Sequence, residues 1–325
     1  MKALYFGTYD RDHPRNVNAI AAMRDAGVEV IERNAGVRGT GVRGAASVFG
    51  AETRLLRPRR ADFDLVIVGY PGHFDVPQGR RLARRKPLVF DAVLSLEDEL
   101  VAVRRRFRPR STAATLLRAV DLRALRLPDL VVCGTDVEAR HLQSLGAARV
   151  ASVFLGTDEA LYGHAWTPTY PFTAVHLATG IAGDESADVV RAAAGLTDVP
   201  TRVAVRGEID PDDLGIAVAH SGIVLGSFRE SRAIAPAVFD GLASGAPVIT
   251  ADTDAARELL RDGESALLVP PNDPPALAAA IARLARDEEL RTRIAESGQA
   301  VFRARATRSV LGARWRELLD SVAEA

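Results

Sequence analysis

The sequence predicts an α/β protein made of two Rossmann-like, doubly wound parallel-sheet domains facing across a cleft. Three observations carry that expectation. Short apolar runs alternate with helical patterns along the whole 325-residue chain, as successive βαβ units require. The run Phe63–Gly69 (FDLVIVG) is almost continuously apolar, as expected of a parallel strand covered on both faces. Charge also divides along the chain. Residues 1–150 hold 26 Lys/Arg against 17 Asp/Glu, and residues 151–325 hold 16 against 25, so the halves carry +9 and −9. Two domains fit both the length and this asymmetry.

The first half opens with a strand at Lys2–Gly7. A helix follows over Pro14–Gly27, with proline in its first turn and glycine as its stop. Val28–Glu32, Phe63–Gly69 and Pro87–Asp91 are strands. Leu96–Arg106 and Thr112–Leu125 read as helices, and Asp129–Cys133, Val137–Leu145 and Arg149–Phe154 as a strand–helix–strand unit. The Gly/Arg-rich stretch Arg33–Arg60 reads as a long loop. Gly156–Pro171, dense in Gly, Pro and aromatics, reads as an interdomain linker. In the second half, strands are expected at Phe172–Leu177, Thr201–Val205, Ser221–Gly226, Val248–Thr250 and Ala266–Val269. Helices are expected at Ser186–Gly195, Ala233–Ser244, Ala255–Asp262, Pro275–Arg286, Glu288–Phe302 and Thr307–Val322. The domains are therefore drawn at 1–157 and 158–306, with the helix of 307–325 returning to the first.

Composition narrows the class. Apolar content of 47% and charged content of 26% are those of a globular chain. The one cysteine, Cys133, reads as a small buried hydrophobe at a strand end, and it allows no intrachain disulfide, so the cytosol is the expected compartment. MKALYFGTYD turns polar too soon for a signal peptide, and no segment approaches the roughly 20 apolar residues of a membrane span. His13, His141, His164, His176 and His220 lack metal-ligand spacing, and no metal or cofactor is expected. Gly39–Gly44 matches GxGxxG in letters alone, because no strand precedes it. The arginine clusters Arg80–Lys86 and Arg104–Arg110 are expected to be solvated, with peripheral contact to an anionic membrane as the alternative. They carry too few aromatics for nucleic acid.

The most informative stretch is Val238–Thr250 (VFDGLASGAPVIT) with Glu264–Asp273 (ESALLVPPND). Gly245 suits a helix C-cap, where positive φ is required, and Pro247 is tolerable at the first residue of the short strand that follows. The block resembles the donor-binding domain of GT-B glycosyltransferases of the retaining family 4 type. The residues that carry the resemblance are Asp240, Ala243, Ser244, Gly245, Pro247, Val248, Glu258, Asp262, Gly263, Leu268, Val269, Pro270 and Asp273.

Ligands of open α/β sheets bind at the carboxyl ends of the strands, where helix N-termini receive anions. Gly7 and Thr8 end the first strand, and Arg15 and Asn16 begin the first helix, where an anion would be held. The resemblance implies that this Gly loop touches the donor phosphates. It also implies that His73, just after FDLVIVG, lies near the transferred sugar. Asp91 ends the strand PLVFD and is a candidate to orient an acceptor hydroxyl or act as general base. Ser95 with Asp98 reads as a helix cap.

In the second domain the resemblance places Asp240 on the ribose hydroxyls. Eight residues before it the family has Glu, where this chain has Arg232; Glu230 stands two residues earlier, beside Ser231. Either the loop is longer and Glu230 serves, or Arg232 faces phosphate through its planar fork. The family's two diphosphate-gripping cations are also missing: Ala178–Ser186 holds no cation, and the second half has no lysine. Arg206, Arg229 and Arg232 are the substitutes.

The expected function is transfer of a sugar from a nucleotide-diphosphate sugar, such as a UDP- or GDP-sugar, to an acceptor hydroxyl, metal-independently and with retention. The acceptor is a small molecule, glycan or lipid-linked group. The rival readings are a nucleotide-sugar epimerase on the same fold and a non-catalytic binding partner.

Overall fold

A computed structural model describes residues 1–35, 62–103, 106–162, 165–169, 172–178, 185–205 and 208–324. The expected loop of Arg33–Arg60 and the Gly39–Gly44 run fall largely or wholly outside these residues. The chain divides into two compact units. One comprises Met1–Phe154 with Leu311–Ala325, the other Leu155–Val310. Each is built on a wholly parallel sheet, so the doubly wound α/β class expected from the sequence is present in both.

The first unit runs β1 (Lys2–Gly7), α1 (Pro14–Asp25), β2 (Glu29–Asn34), β3 (Leu65–Val68), α2 (Val76–Ala83), β4 (Leu88–Val93), α3 (Thr112–Arg126), β5 (Leu130–Cys133), α4 (Asp136–Ser144) and β6 (Val150–Ser152). A 3₁₀ turn at Gly72–Phe74 precedes α2, and a π-helical turn at Asp98–Val103 precedes α3. The sheet order is β2-β1-β3-β4-β5-β6. Every residue of β3 and of β5 is buried, which explains their unbroken apolar runs. One face of this sheet packs Tyr5, Ile67 and Val132 against Ile20 and Met23 of α1 and against Leu311, Trp315 and Leu319. Gly312 is needed in that contact: a Cβ there would lie 2.4 Å from the carbonyl oxygen of Ala22.

The second unit runs β7 (Ala174–Ala178), α5 (Glu185–Ala194), β8 (Thr201–Val205), α6 (Pro211–Ala219), β9 (Ile223–Leu225), α7 (Pro236–Ser244), β10 (Val248–Ala251), α8 (Asp254–Arg257), β11 (Leu267–Val269), α9 (Pro274–Arg286) and α10 (Glu288–Arg305), and α11 (Arg308–Ala323) closes the chain. The sheet order is β11-β10-β9-β7-β8. Gly245 caps α7 with φ 75°, the left-handed conformation that glycine adopts without strain.

Several boundaries differ from the sequence reading. The helix expected from Ala233 begins at Pro236, because the residue before a proline is pushed out of the α region, and Ala235 is extended. The helix expected over Ala255–Asp262 stops at Arg257. Within the helix expected over Leu96–Arg106 the described residues form a π-helical turn at Asp98–Val103 rather than a regular α-helix. Helices α2 and α6 were not anticipated: VPQGRRLA and PDDLGIAVA each combine proline and glycine, which mask a short helical period.

Candidate functional site

Strand order locates the places where a ligand can enter a parallel sheet. In the first unit the chain winds from β1 outward to β2 and then returns to β3 on the other side. The loops after β1 and β3 therefore diverge and leave a crevice at the strand carboxyl ends. In the second unit the same reversal falls between β7 and β9. There the flanking loops are 179–184, outside the described residues, and Gly226–Ala235.

The crevice of the first unit is braced by hydrogen bonds among its own side chains. Thr8 donates its backbone N–H (2.8 Å) and its hydroxyl (2.9 Å) to Oδ2 of the buried Asp75. Gly7 sits at φ 139°, and a Cβ there would lie 2.9 Å from the same oxygen. The Thr8 amide, expected to meet donor phosphate, is thus engaged by a carboxylate of the chain itself. Asn16 is fully buried and ties three segments together. Its Oδ1 accepts from the Tyr5 hydroxyl (2.8 Å) and the Tyr70 amide (3.1 Å), and its Nδ2 donates to the carbonyls of Asp10 and Tyr70, both at 2.7 Å.

Arg15 and Asp91, expected at a ligand site, are instead buried against each other. Arg15 Nε lies 2.9 Å from both Asp91 oxygens and Nη2 lies 2.8 Å from Oδ1. Nη1 donates to the Val153 carbonyl at 2.6 Å, and the guanidinium carbon lies 5.6 Å from the Trp315 ring centre. Burial opposes the Arg15 charge, but Asp91 outweighs it and raises the pKa. Burial pushes the Asp91 carboxyl upward while Arg15 pulls it back. The geometry is that of a packed ion pair joining α1, β4, the end of β6 and the C-terminal helix.

His73 is also buried. Its ring meets Phe90 edge-on at 4.9 Å, and Nε2 donates to the Leu94 carbonyl oxygen at 3.0 Å, so this nitrogen carries the hydrogen. Burial lowers its pKa, with Asp121, 3.6 Å away, acting in the opposite direction. Asp121 itself accepts from the Ser95 hydroxyl (2.7 Å) and from the amides of Leu96 (3.0 Å) and Glu97 (2.9 Å). Ser95 Oγ in turn accepts from the Asp98 amide (3.2 Å), the cap read from the sequence. Cys133 is enclosed as anticipated, with its thiol pushed up to about 12 by burial.

In the second unit Asp240 lies on α7, fully buried, and Oδ1 accepts from the Thr157 hydroxyl at 2.7 Å. Across the β7/β9 reversal, Ser186 Oγ lies 3.1 Å from Ser227 Oγ and accepts from the Phe228 amide at 3.1 Å. This fixes the start of the Gly226–Ala235 loop against α5. On that loop Glu230 is exposed, while Arg229, Ser231 and Arg232 are half-buried. Ser231 Oγ shapes the turn by accepting from the Ala233 amide at 3.0 Å. Arg206 lies outside the described residues. Among the described residues no cluster of three or more His, Cys, Asp or Glu side chains is placed to hold a metal ion.

Sequence reading missed Asp75, Asp121, Thr157, Ser186 and Ser227. Asp75 and Asp121 act on partners 67 and 26 residues away, and no local pattern announces such contacts. Thr157 was absorbed into the linker.

Residues 172–287 match the family model described as glycosyl transferases group 1. This stretch, which spans most of the second unit, carries the resemblance read from the sequence. The curated relatives agree. A phosphatidyl-myo-inositol mannosyltransferase of Mycobacterium leprae is 31% identical over 117 residues, 36% of this chain and 31% of that protein. The lipopolysaccharide core biosynthesis glycosyltransferase LpsE of Rhizobium meliloti is 31% identical over 84 residues, 26% of this chain and 25% of that protein. The chain thus matches about a third or less of the length of these relatives.

Solved structures extend the likeness in fold to nearly all of the chain. Sucrose-phosphate synthase from Thermosynechococcus elongatus superposes with TM-score 0.73 at 15% identity, covering 98% of both chains. Anabaena Alr3699/HepE in complex with UDP-glucose does so with TM-score 0.72 at 16% identity, covering 99% of this chain and 100% of that one. The fold is GT-B.

Proposed function

We propose that the protein is a glycosyltransferase that draws its sugar from a nucleotide-diphosphate sugar and passes it to an acceptor hydroxyl. The observation that carries this reading is a coincidence of place. The segment that matches the glycosyl transferases group 1 family, 172–287, contains the β7/β9 reversal at which its sheet would admit a ligand. In this reading the nucleotide lies at the carboxyl ends of β7 and β9. Ser227, Glu230, Ser231 and Arg232 border it on the Gly226–Ala235 loop, with Arg206 following β8. Asp240 then acts from beneath, its carboxylate oriented by Thr157. A diphosphate here would be stabilised by arginine and by helix N-terminal amides. UDP-glucose bound by Anabaena HepE makes UDP the first donor to try.

In the first unit, Gly7, Thr8 and His73 line the crevice in this reading, with Asp75 bracing Thr8. Retention of anomeric configuration and independence from metal complete the proposal, on the strength of the family resemblance.

Thermal denaturation with UDP, GDP, ADP and TDP tests the reading. A ligand at about 100 times its Kd stabilises by roughly 2.7 kcal/mol, a shift of about 5–10 °C for a unit of this size. No shift with any of the four sinks the proposal. Product analysis then separates the chemistries. An altered sugar formed without acceptor indicates epimerisation, an inverted product removes retention, and loss of turnover in EDTA removes metal independence.

A further inference from the structure

The segment that leads from β4 toward α3 is built unlike the strand before it. Leu88, Val89, Phe90, Asp91 and Ala92 are all fully buried. Directly after them Val93 takes φ 61°, and the Leu94 amide donates to the Ala92 carbonyl at 2.7 Å. A three-residue turn with positive φ at its centre is the rare, strained form, and a β-branched residue is among those least suited to it. The pairing of β4 with β5 shifts register at the same place, between Asp91 and Val93. Beyond the turn, Leu94, Leu96 and Leu100 are only half-buried, and of residues 94–101 Ser95 and Val101 alone are buried. Apolar packing therefore contributes little to holding this stretch in place.

Polar ties hold it instead, and they converge. Asp121 of α3 accepts from the Ser95 hydroxyl and from the amides of Leu96 and Glu97. Ser95 Oγ in turn accepts from the Asp98 amide. Asp98 is joined to α4 through His141, whose Nε2 lies 2.6 Å from Oδ2. The Leu94 carbonyl accepts from Nε2 of the buried His73 at 3.0 Å. Three of these bonds end on one carboxylate, so the stretch is released as a unit rather than residue by residue.

Release relieves two costs. Val93 can return to negative φ. His73 carries its hydrogen on Nε2, and its buried Nδ1 has no donor to accept from among the described residues. Such an acceptor is costly to bury, and water reaching the ring would satisfy it. We propose that Leu94–Val101 is a strap that opens as one unit about Val93, and that its opening uncovers His73 in the turn after β3. The motion belongs to the protein without substrate, so it stands or falls separately from the glycosyltransferase reading.

Two measurements on the full chain test it, hydrogen–deuterium exchange over residues 94–101 and carbethoxylation of histidines by diethyl pyrocarbonate. In the wild type the amides of Leu96 and Glu97 exchange by local opening, about 100-fold or more faster than those of β3. His73 labels slowly beside the exposed His220, at a rate set by the same opening. S95A removes one tie and raises both rates about tenfold. V93G relieves the strained turn and lowers both about fivefold, the strain outweighing the freedom glycine gains in the open strap. A substitution that only weakened the fold would raise them. Exchange at Leu96 and Glu97 as slow as in β3 overturns the proposal, and so does a V93G variant that exchanges faster than the wild type. If S95A speeds exchange and leaves His73 labelling unchanged, the strap does not cover His73 and the proposal fails.

Discussion

Arg15→Met removes one half of a buried ion pair, and the consequence can be worked out from its surroundings. Asp91 has no exposure, and among the described residues its carboxylate is held by Arg15 alone. Breaking a buried pair typically costs about 3–5 kcal/mol. Without Arg15 the buried carboxyl keeps the burial effect that already pushes its pKa up and loses the attraction that restrains it. An acid whose folded pKa lies above its unfolded value of about 4 binds its proton more tightly when folded. Its contribution is therefore intact below about pH 4 and is lost as pH rises toward the folded pKa, at about 1.4 kcal/mol per unit. Arg15→Met should stand closest to the wild type at low pH and fall behind it only above the wild type's own raised Asp91 pKa, toward the deficit of about 3–5 kcal/mol of a broken buried pair. Asp91→Asn leaves a buried guanidinium, which does not titrate in this range, so that variant's own stability takes no pH dependence from this pair. At pH 7 the first unit should melt roughly 10 °C lower in both variants.

Trp315, packed beside Arg15, supplies the optical probe. There are two tryptophans, and Trp166→Phe leaves Trp315 as the reporter of this unit. Urea titrations followed by its fluorescence between pH 4 and 7 give the two slopes. If both variants lie within about 1 kcal/mol of the parent at pH 7, the reasoning about this pair is wrong.

Gly7→Ala should destabilise the first unit by about 2–3 kcal/mol, from positive-φ strain and from a methyl 2.9 Å from the Asp75 oxygen. Pairing it with Asp75→Ala should recover part of the loss, which a double-mutant cycle in urea measures. Thr157→Val removes the hydroxyl on Asp240. It should lower stability by about 1–3 kcal/mol and, in the glycosyltransferase reading, weaken nucleotide-induced stabilisation further, which calorimetric titration reads directly.

Much of the architecture was legible because its signals are local. Continuous apolar runs such as Leu65–Val68 and Leu130–Cys133 record burial on both faces of a parallel strand. Gly245 and Pro236 mark the two ends of α7 by φ requirements that few other residues meet. The resemblance at Val238–Asp273 likewise lies in one contiguous stretch. What the sequence does not announce is the contacts: Arg15 and Asp91 read as ligand groups at helix and strand ends, yet across 76 residues of sequence they are paired with each other.

By itself the sequence determined the alternation of strands and helices, the two-unit plan and the family likeness of the second unit. Those follow from residue periodicity and turn chemistry, which neighbours along the chain express. Only the tertiary structure decided that Asp75 engages Thr8 and that Asp91 neutralises Arg15. Whether a charge meets a ligand, a partner or water depends on which distant side chain folding brings within 3 Å, and no local pattern encodes that.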